Sequence, residues 1–98
     1  MSMTLTSEAI LDKVRKAFAP FHVVAELQDY HRELGFRVYG EHGEIIGTYE
    51  ANLVEDLRNP ANLKRLIMDT RADIQSRGKD LNPWSFELLP PARLRVQR

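Results

Sequence analysis

The side chains best suited to chemistry in this chain are three histidines, His22, His31 and His42, and a scatter of carboxylates. Neutral imidazole binds divalent transition metals, and its ordinary pKa near neutrality suits acid–base work. Metal sites, however, announce themselves by close ligand spacing such as H-x-x-x-H, and the three histidines are nine and eleven positions apart. The pattern places one on the outward side of a strand and the others in two different turns. Glu41 and Glu44 flank a turn, and Glu55 and Asp56 precede a helix. Two carboxylates become an acid–base pair only when a pocket drives their pKa values apart, and turn and helix-entry carboxylates are normally solvated. Asp69 and Asp73 stand four residues from Arg65 and Arg77, the spacing of surface ion pairs along a helix.

No Gly-rich phosphate loop, G-x-S-x-G or H-E-x-x-H is present, and the serines and threonines stand beside no base in sequence. The sequence therefore nominates no catalytic, cofactor-binding or metal-binding residue, and an enzyme is not expected. There is no cysteine, so disulfides and thiolate metal ligands are excluded. Fourteen basic residues balance fourteen acidic ones, leaving no global field to draw nucleic acid or an anionic membrane onto the surface. Hydrophobic residues make up 43% and charged residues 29%, the balance of a folded globule and not of a disordered chain. No basic region precedes an apolar run in MSMTLTSEAILDK, and no run of apolar residues is long enough to span a bilayer. The expectation is a cytoplasmic protein with no membrane partner.

The elements that must position these groups follow from period. The clearest is Asn59 to Gly78. Asn59 caps, Pro60 fits the first helical position, and Leu63, Leu66, Ile67, Thr70 and Ile74 form one buried stripe. Gly78 suits the left-handed residue that closes such a helix. A first helix is expected over 7–18: Thr6 or Ser7 caps it, Leu5 and Ile10 form a hydrophobic staple, and Pro20 stops it. Its apolar side is Ile10, Leu11, Val14, Ala17 and Phe18.

Three strands lie between the helices. In 21–28, Phe21, Val23, Ala25 and Leu27 alternate with His22, Val24, Glu26 and Gln28. In 34–40, Leu34, Phe36 and Val38 point one way and Arg37 and Tyr39 the other. A hairpin through Glu41-His42-Gly43-Glu44, with Gly43 supplying the positive φ, leads to a third strand over 45–50. Its register stays open. A two-residue turn turns Ile45, Gly47 and Tyr49 to the core, whereas a three-residue turn with a bulge selects Ile46 and Thr48. Residues 51–58 carry Leu53, Val54 and Leu57 behind a candidate Asn52 cap and read as one helical turn.

The order α-β-β-β-α predicts an α+β fold, a three-stranded antiparallel meander with two helices on one face. Residues 1–78 read as one domain and 79–98 as an extended tail partly packed on it, with Trp84, Phe86 and Leu88 alternating between two proline breaks. The segments Ala17-Phe18-x-Pro20-Phe21 and Leu57-x-Asn59-Pro60-x-x-Leu63-x-x-Leu66-Ile67, together with Gly43, Arg71 and Ile74, resemble a family of short bacterial proteins known only as a domain of unknown function. The resemblance covers about residues 10 to 78. It implies this fold and a bacterial cytoplasmic setting, and brings no activity, ligand or catalytic residue.

Two surfaces then qualify as interaction sites for a protein partner or a second copy. One is the sheet face away from the helices, with Arg37 and Tyr39 beside His22, Val24 and Glu26. The other is the tail, through Trp84 and Phe86. The alternative is nucleic-acid binding, because double-stranded RNA-binding domains share the α-β-β-β-α order. Such domains need a lysine cluster opening the last helix, and here it holds only Lys64 and Arg65, while the EHGE hairpin is acidic.

Overall fold

The computed structural model describes residues 4–86. In chain order these form α1 (Ser7–Lys16), β1 (His22–Gln28), β2 (Glu33–Tyr39), β3 (Ile45–Leu53), α2 (Val54–Leu57) and α3 (Pro60–Ser76). The strands pair antiparallel in the order β1-β2-β3, and the helices cover one face of the sheet, the expected α+β layout.

Helix starts follow the local chemistry. Thr6 Oγ1 accepts from Ala9 N at 3.1 Å, and Leu5 and Ile10 are both buried as a staple requires. Asn59 Oδ1 accepts from Ala61 N at 3.0 Å, and Pro60 occupies the first turn. At its far end Gly78 adopts φ 86°, the left-handed region. α1 stops at Lys16, earlier than the expected residue 18: Ala17 caps it and Phe18 begins the turn toward Pro20. The residue before a proline is driven out of helical geometry, so the last turn unwinds ahead of it. The Ala19–Pro20 peptide is cis.

The third strand resolves both the register and the element after it. Gly40 N donates to Glu44 O at 2.8 Å and Gly43 N to Gly40 O at 3.1 Å, so the hairpin is a three-residue turn with Gly43 at φ 82°. That turn alone would carry Ile46 and Thr48 to the core. A second irregularity lies one step on, where Tyr39 pairs with Ile45 but Val38 with Gly47, leaving Ile46 as the extra residue of a bulge. The slip restores the other parity beyond it. Ile46 is buried, Gly47 and Tyr49 also face the core, and Thr48 is exposed. Gly47 is required there, because an added Cβ would run into the Tyr49 ring with Cε2 at 2.7 Å.

β3 also runs three residues past the expected end at Glu50. A further bulge opposite Gly35 puts Ala51 at φ 64°, and Asn52 pairs with Leu34. Asn52 is therefore not a helix cap. Its Nδ2 donates to Leu34 O at 3.1 Å, and α2 begins at Val54 without a side-chain cap. The β1–β2 connection is tighter than its sequence announces: Asp29, Tyr30 and His31 are all left-handed, at φ 53°, 54° and 67°. Non-glycine residues avoid this region at about 1–2 kcal/mol each.

The core is formed by Ile10, Val14 and Phe18 from the α1 segment, Val23, Ala25, Leu34, Phe36 and Val38 from the sheet, and Leu63, Ile67 and Ile74 from α3. Phe36 lies between two rings, 5.7 Å from Phe18 and 5.1 Å from Tyr49. Burial of one such side chain contributes about 1.5–3 kcal/mol. Arg58 ties the chain's entry to α2: Leu5 N donates to its carbonyl at 2.9 Å, and its Nη1 donates back to Leu5 O at 3.1 Å.

Candidate functional site

The face of the sheet opposite the helices carries no covering element among the described residues. Pairing places Val24, Arg37 and Thr48 in one row across the three strands, and His22, Tyr39 and Ile45 in the next. His22 and Tyr39 rings lean together at 6.2 Å and 38°. Arg37 lies beside Tyr39 and in the field of Glu50 and Glu26; the Tyr39 oxygen, first, holds its guanidinium pKa above the ordinary arginine value. Glu26 stands opposite Gly35, which has no side chain to fill the space. The result is a depression of about 140 Å³ over Gly35, walled by Val24, Glu26, Gln28, Arg37, Tyr39 and Glu50. An added Cβ on Gly35 would lie 3.0 Å from Gln28 Oε1, so the glycine keeps this floor low. Val24 and Ile45 leave 39% and 55% of their surface in solvent beside it, enough apolar area to seat a partner side chain.

The expected pair Arg37 and Tyr39 is therefore brought together. Trp84 and Phe86 also come together, but on the helical layer. They meet edge to face at 6.1 Å, half-buried against the core. The Arg71 guanidinium lies 5.5 Å from the Trp84 ring and donates to Ala17 O at 2.6 Å and Asn82 O at 2.8 Å. Lys13 Nζ sits 5.1 Å over Phe86, and Asn82 N donates to Ala19 O at 2.8 Å. Residues 79–86 thus run as an extended arm held by Arg71, without strand pairing, and burial pulls the Arg71 pKa below its ordinary value. The aromatic pair is largely spent on packing. Leu88, Leu89, Leu94 and Val96 lie outside the described residues.

Lys64 and Arg65 are exposed on the first turns of α3, and Lys64 borders an open groove with Met68 and Trp84. The acidic hairpin lies at the other end of α3: Glu44 accepts from His42 N at 3.0 Å and lies 3.9 Å from Lys79, just past the helix. The backbone N–H of Glu44 itself, ahead of that of His42, keeps the Glu44 carboxyl below the ordinary range. His22, His31 and His42 fall on the open sheet face, in the β1–β2 loop and in the hairpin, and among the described residues no three His, Asp or Glu side chains group as metal ligands. No helix among those residues is long and apolar enough to cross a membrane.

Two groups escaped the sequence reading. Ile45 joins the open face through the three-residue turn, and Thr48 and Glu50 join it only because the Ile46 bulge inverts the side chains beyond it. The second is the link from sheet to α3: the Tyr49 hydroxyl donates to Asp73 Oδ2 at 2.7 Å, and Arg77 Nη2 holds the same oxygen at 3.0 Å. Burial first, then the Asp73 carboxylate, pushes the Tyr49 pKa from 10.0 to about 12. Arg77 also donates from Nη1 to Ile46 O at 2.7 Å, capping the bulge. The expected Asp73–Arg77 spacing was the available signal for half of this network. Comparisons with family models, with curated proteins and with solved structures return no match. The resemblance to a family of short bacterial proteins therefore rests on the sequence pattern alone.

Proposed function

We propose that the chain is a small non-enzymatic interaction module that receives a protein or peptide partner on its open sheet face. The observation that carries this reading is the uncovered row around Arg37 and Tyr39: an aromatic ring and a guanidinium flanked by Glu26 and Glu50, with exposed Val24 and Ile45 beside the Gly35 depression. Mixed aromatic, arginine and aliphatic surface is the composition of protein interfaces, in which a few aromatic and arginine side chains supply most of the affinity. The arm bearing Trp84 and Phe86 supports the fold in this reading. The setting we infer is bacterial and cytoplasmic, which the sequence resemblance supports.

The test is affinity capture with the intact chain as bait, alongside Arg37→Glu, Tyr39→Ala and the double change Lys64→Ala/Arg65→Ala. All four positions lie outside the core. A partner recovered by the parent chain should be lost with either sheet-face variant and kept by the α3 variant. Salt-sensitive retention on RNA or DNA that disappears with Lys64→Ala/Arg65→Ala would replace this reading with the nucleic-acid one.

A further inference from the structure

We infer that the groove between α3 and the arm at 84–86 receives an acidic segment of a partner protein, with an apolar side chain seated between two carboxylates. This groove lies on the helical layer, apart from the open sheet face, and holds about 520 Å³. One wall is a stripe of α3: Lys64, Met68, Arg71 and Gln75 recur at i, i+4, i+7 and i+11. The other wall is the arm, with the Trp84 and Phe86 rings. Between them Met68 is 51% exposed, and its unbranched thioether adapts to varied apolar side chains. No carboxylate of the described residues lines the groove. Asp69 and Asp73 project from other sides of the helix, and Asp73 is held by Arg77 and Tyr49.

The charge of Arg71 sets the class of partner. Its guanidinium is partly buried, and both of its hydrogen bonds go to neutral carbonyls, Ala17 O and Asn82 O. Elsewhere on the surface cations meet carboxylates: Lys16 with Asp12, Arg77 with Asp73 and Lys79 with Glu44. Neither Arg71 nor Lys64 has such a partner among the described residues. A cation drawn part-way out of water without a counter-ion is unfavourable, and burial already pulls the Arg71 pKa down. A carboxylate arriving from outside supplies the missing charge, and the apolar floor keeps water from screening it. Seven positions separate Lys64 from Arg71, roughly 10 Å along the helix axis. The fitting segment therefore carries two Asp or Glu about that far apart, with an apolar side chain between them for Met68 and the Trp84 ring. A peptide suits this groove better than a fatty acid because the groove is open to solvent. A lone acyl chain would stay half wet there, whereas a peptide continues onto the surface at either side.

The test titrates the intact chain with a labelled peptide of glutamates interspersed with leucine and phenylalanine. Peptide anisotropy and the emission of the single tryptophan, Trp84, read the binding at physiological salt. The peptide should bind saturably and change the Trp84 emission. Its counterpart with glutamine for every glutamate should bind about tenfold more weakly, or worse. Lys64→Glu and Met68→Glu should each weaken binding of the acidic peptide to a similar degree, and both positions are exposed, so circular dichroism should stay unchanged. Arg65→Glu makes the same change of net charge as Lys64→Glu on a flank of α3 outside the groove, and screening should limit its effect to about threefold. A parent chain that binds no acidic peptide, or that binds the glutamine peptide equally well, overturns the inference. So does binding indifferent to Lys64→Glu and Met68→Glu, or an equal loss with Arg65→Glu. Saturable binding of dodecanoate without binding of the peptide gives the groove to a small anionic amphiphile, and also overturns it.

Discussion

Tyr49 is the most informative residue to perturb, because its hydroxyl joins β3 to α3, two elements that sequence spacing does not connect. It donates to Asp73 Oδ2 at 2.7 Å and is only partly solvated, and its pKa rises from 10.0 to about 12. The folded state thus holds this proton more tightly than the unfolded chain, where an ordinary tyrosine loses it near 10. Stability from this source is complete below pH 10 and drains as pH climbs toward 12. A rise of that size corresponds to about 3 kcal/mol, and solvent screening at a half-buried ring reduces it to about 1 kcal/mol. Burial raises the cost of the phenolate alone, so at neutral pH Tyr49→Phe should lose only the hydrogen bond, about 1 kcal/mol, since Asp73 keeps Arg77 and is not left without a partner. The gap between parent and variant should therefore be about 1 kcal/mol up to pH 10 and shrink as pH rises toward about 12. Chemical denaturation of both chains at a series of pH values measures it, and the difference in phenolate absorbance between the parent and Tyr49→Phe gives the titration directly. A gap that stays constant through this window, or a Tyr49 that titrates at the ordinary tyrosine value of 10.0, would refute the reasoning.

Two further outcomes follow from the backbone and the arm. Ala51 sits at φ 64° in the second bulge of β3, and glycine removes the steric penalty there at some cost in unfolded-state entropy. Ala51→Gly should raise stability by about 0.5–1 kcal/mol in denaturant titration, an unusual sign for glycine in a strand. Arg71→Ala removes both hydrogen bonds from Arg71 and its stacking on Trp84. It should lower stability by about 2 kcal/mol and shift tryptophan emission to the red as the arm leaves α3, which fluorescence of the single tryptophan reads without ambiguity.

What the sequence determined by itself is the local part. The caps at Thr6 and Asn59, the left-handed closure at Gly78, the staple of Leu5 and Ile10 and the buried stripe from Leu63 to Ile74 all depend on residues within a turn or two of one another. Period alone separated helix from strand, and with it the meander and the outward direction of Arg37 and Tyr39. The tertiary structure decided what depends on registration between distant segments. The Ile46 bulge chose which residues of β3 joined the open face, because a single extra residue inverts every side chain beyond it and turn chemistry at Gly43 cannot report it. Arg71 decided the place of Trp84 and Phe86, by reaching one carbonyl in the α1 turn and another in the arm. Those are contacts across more than fifty residues in one case and eleven in the other, and only packing selects between such partners. The candidate site was thus half legible: its centre on β2 followed from alternation, and its border on β3 from a register that no local rule sets.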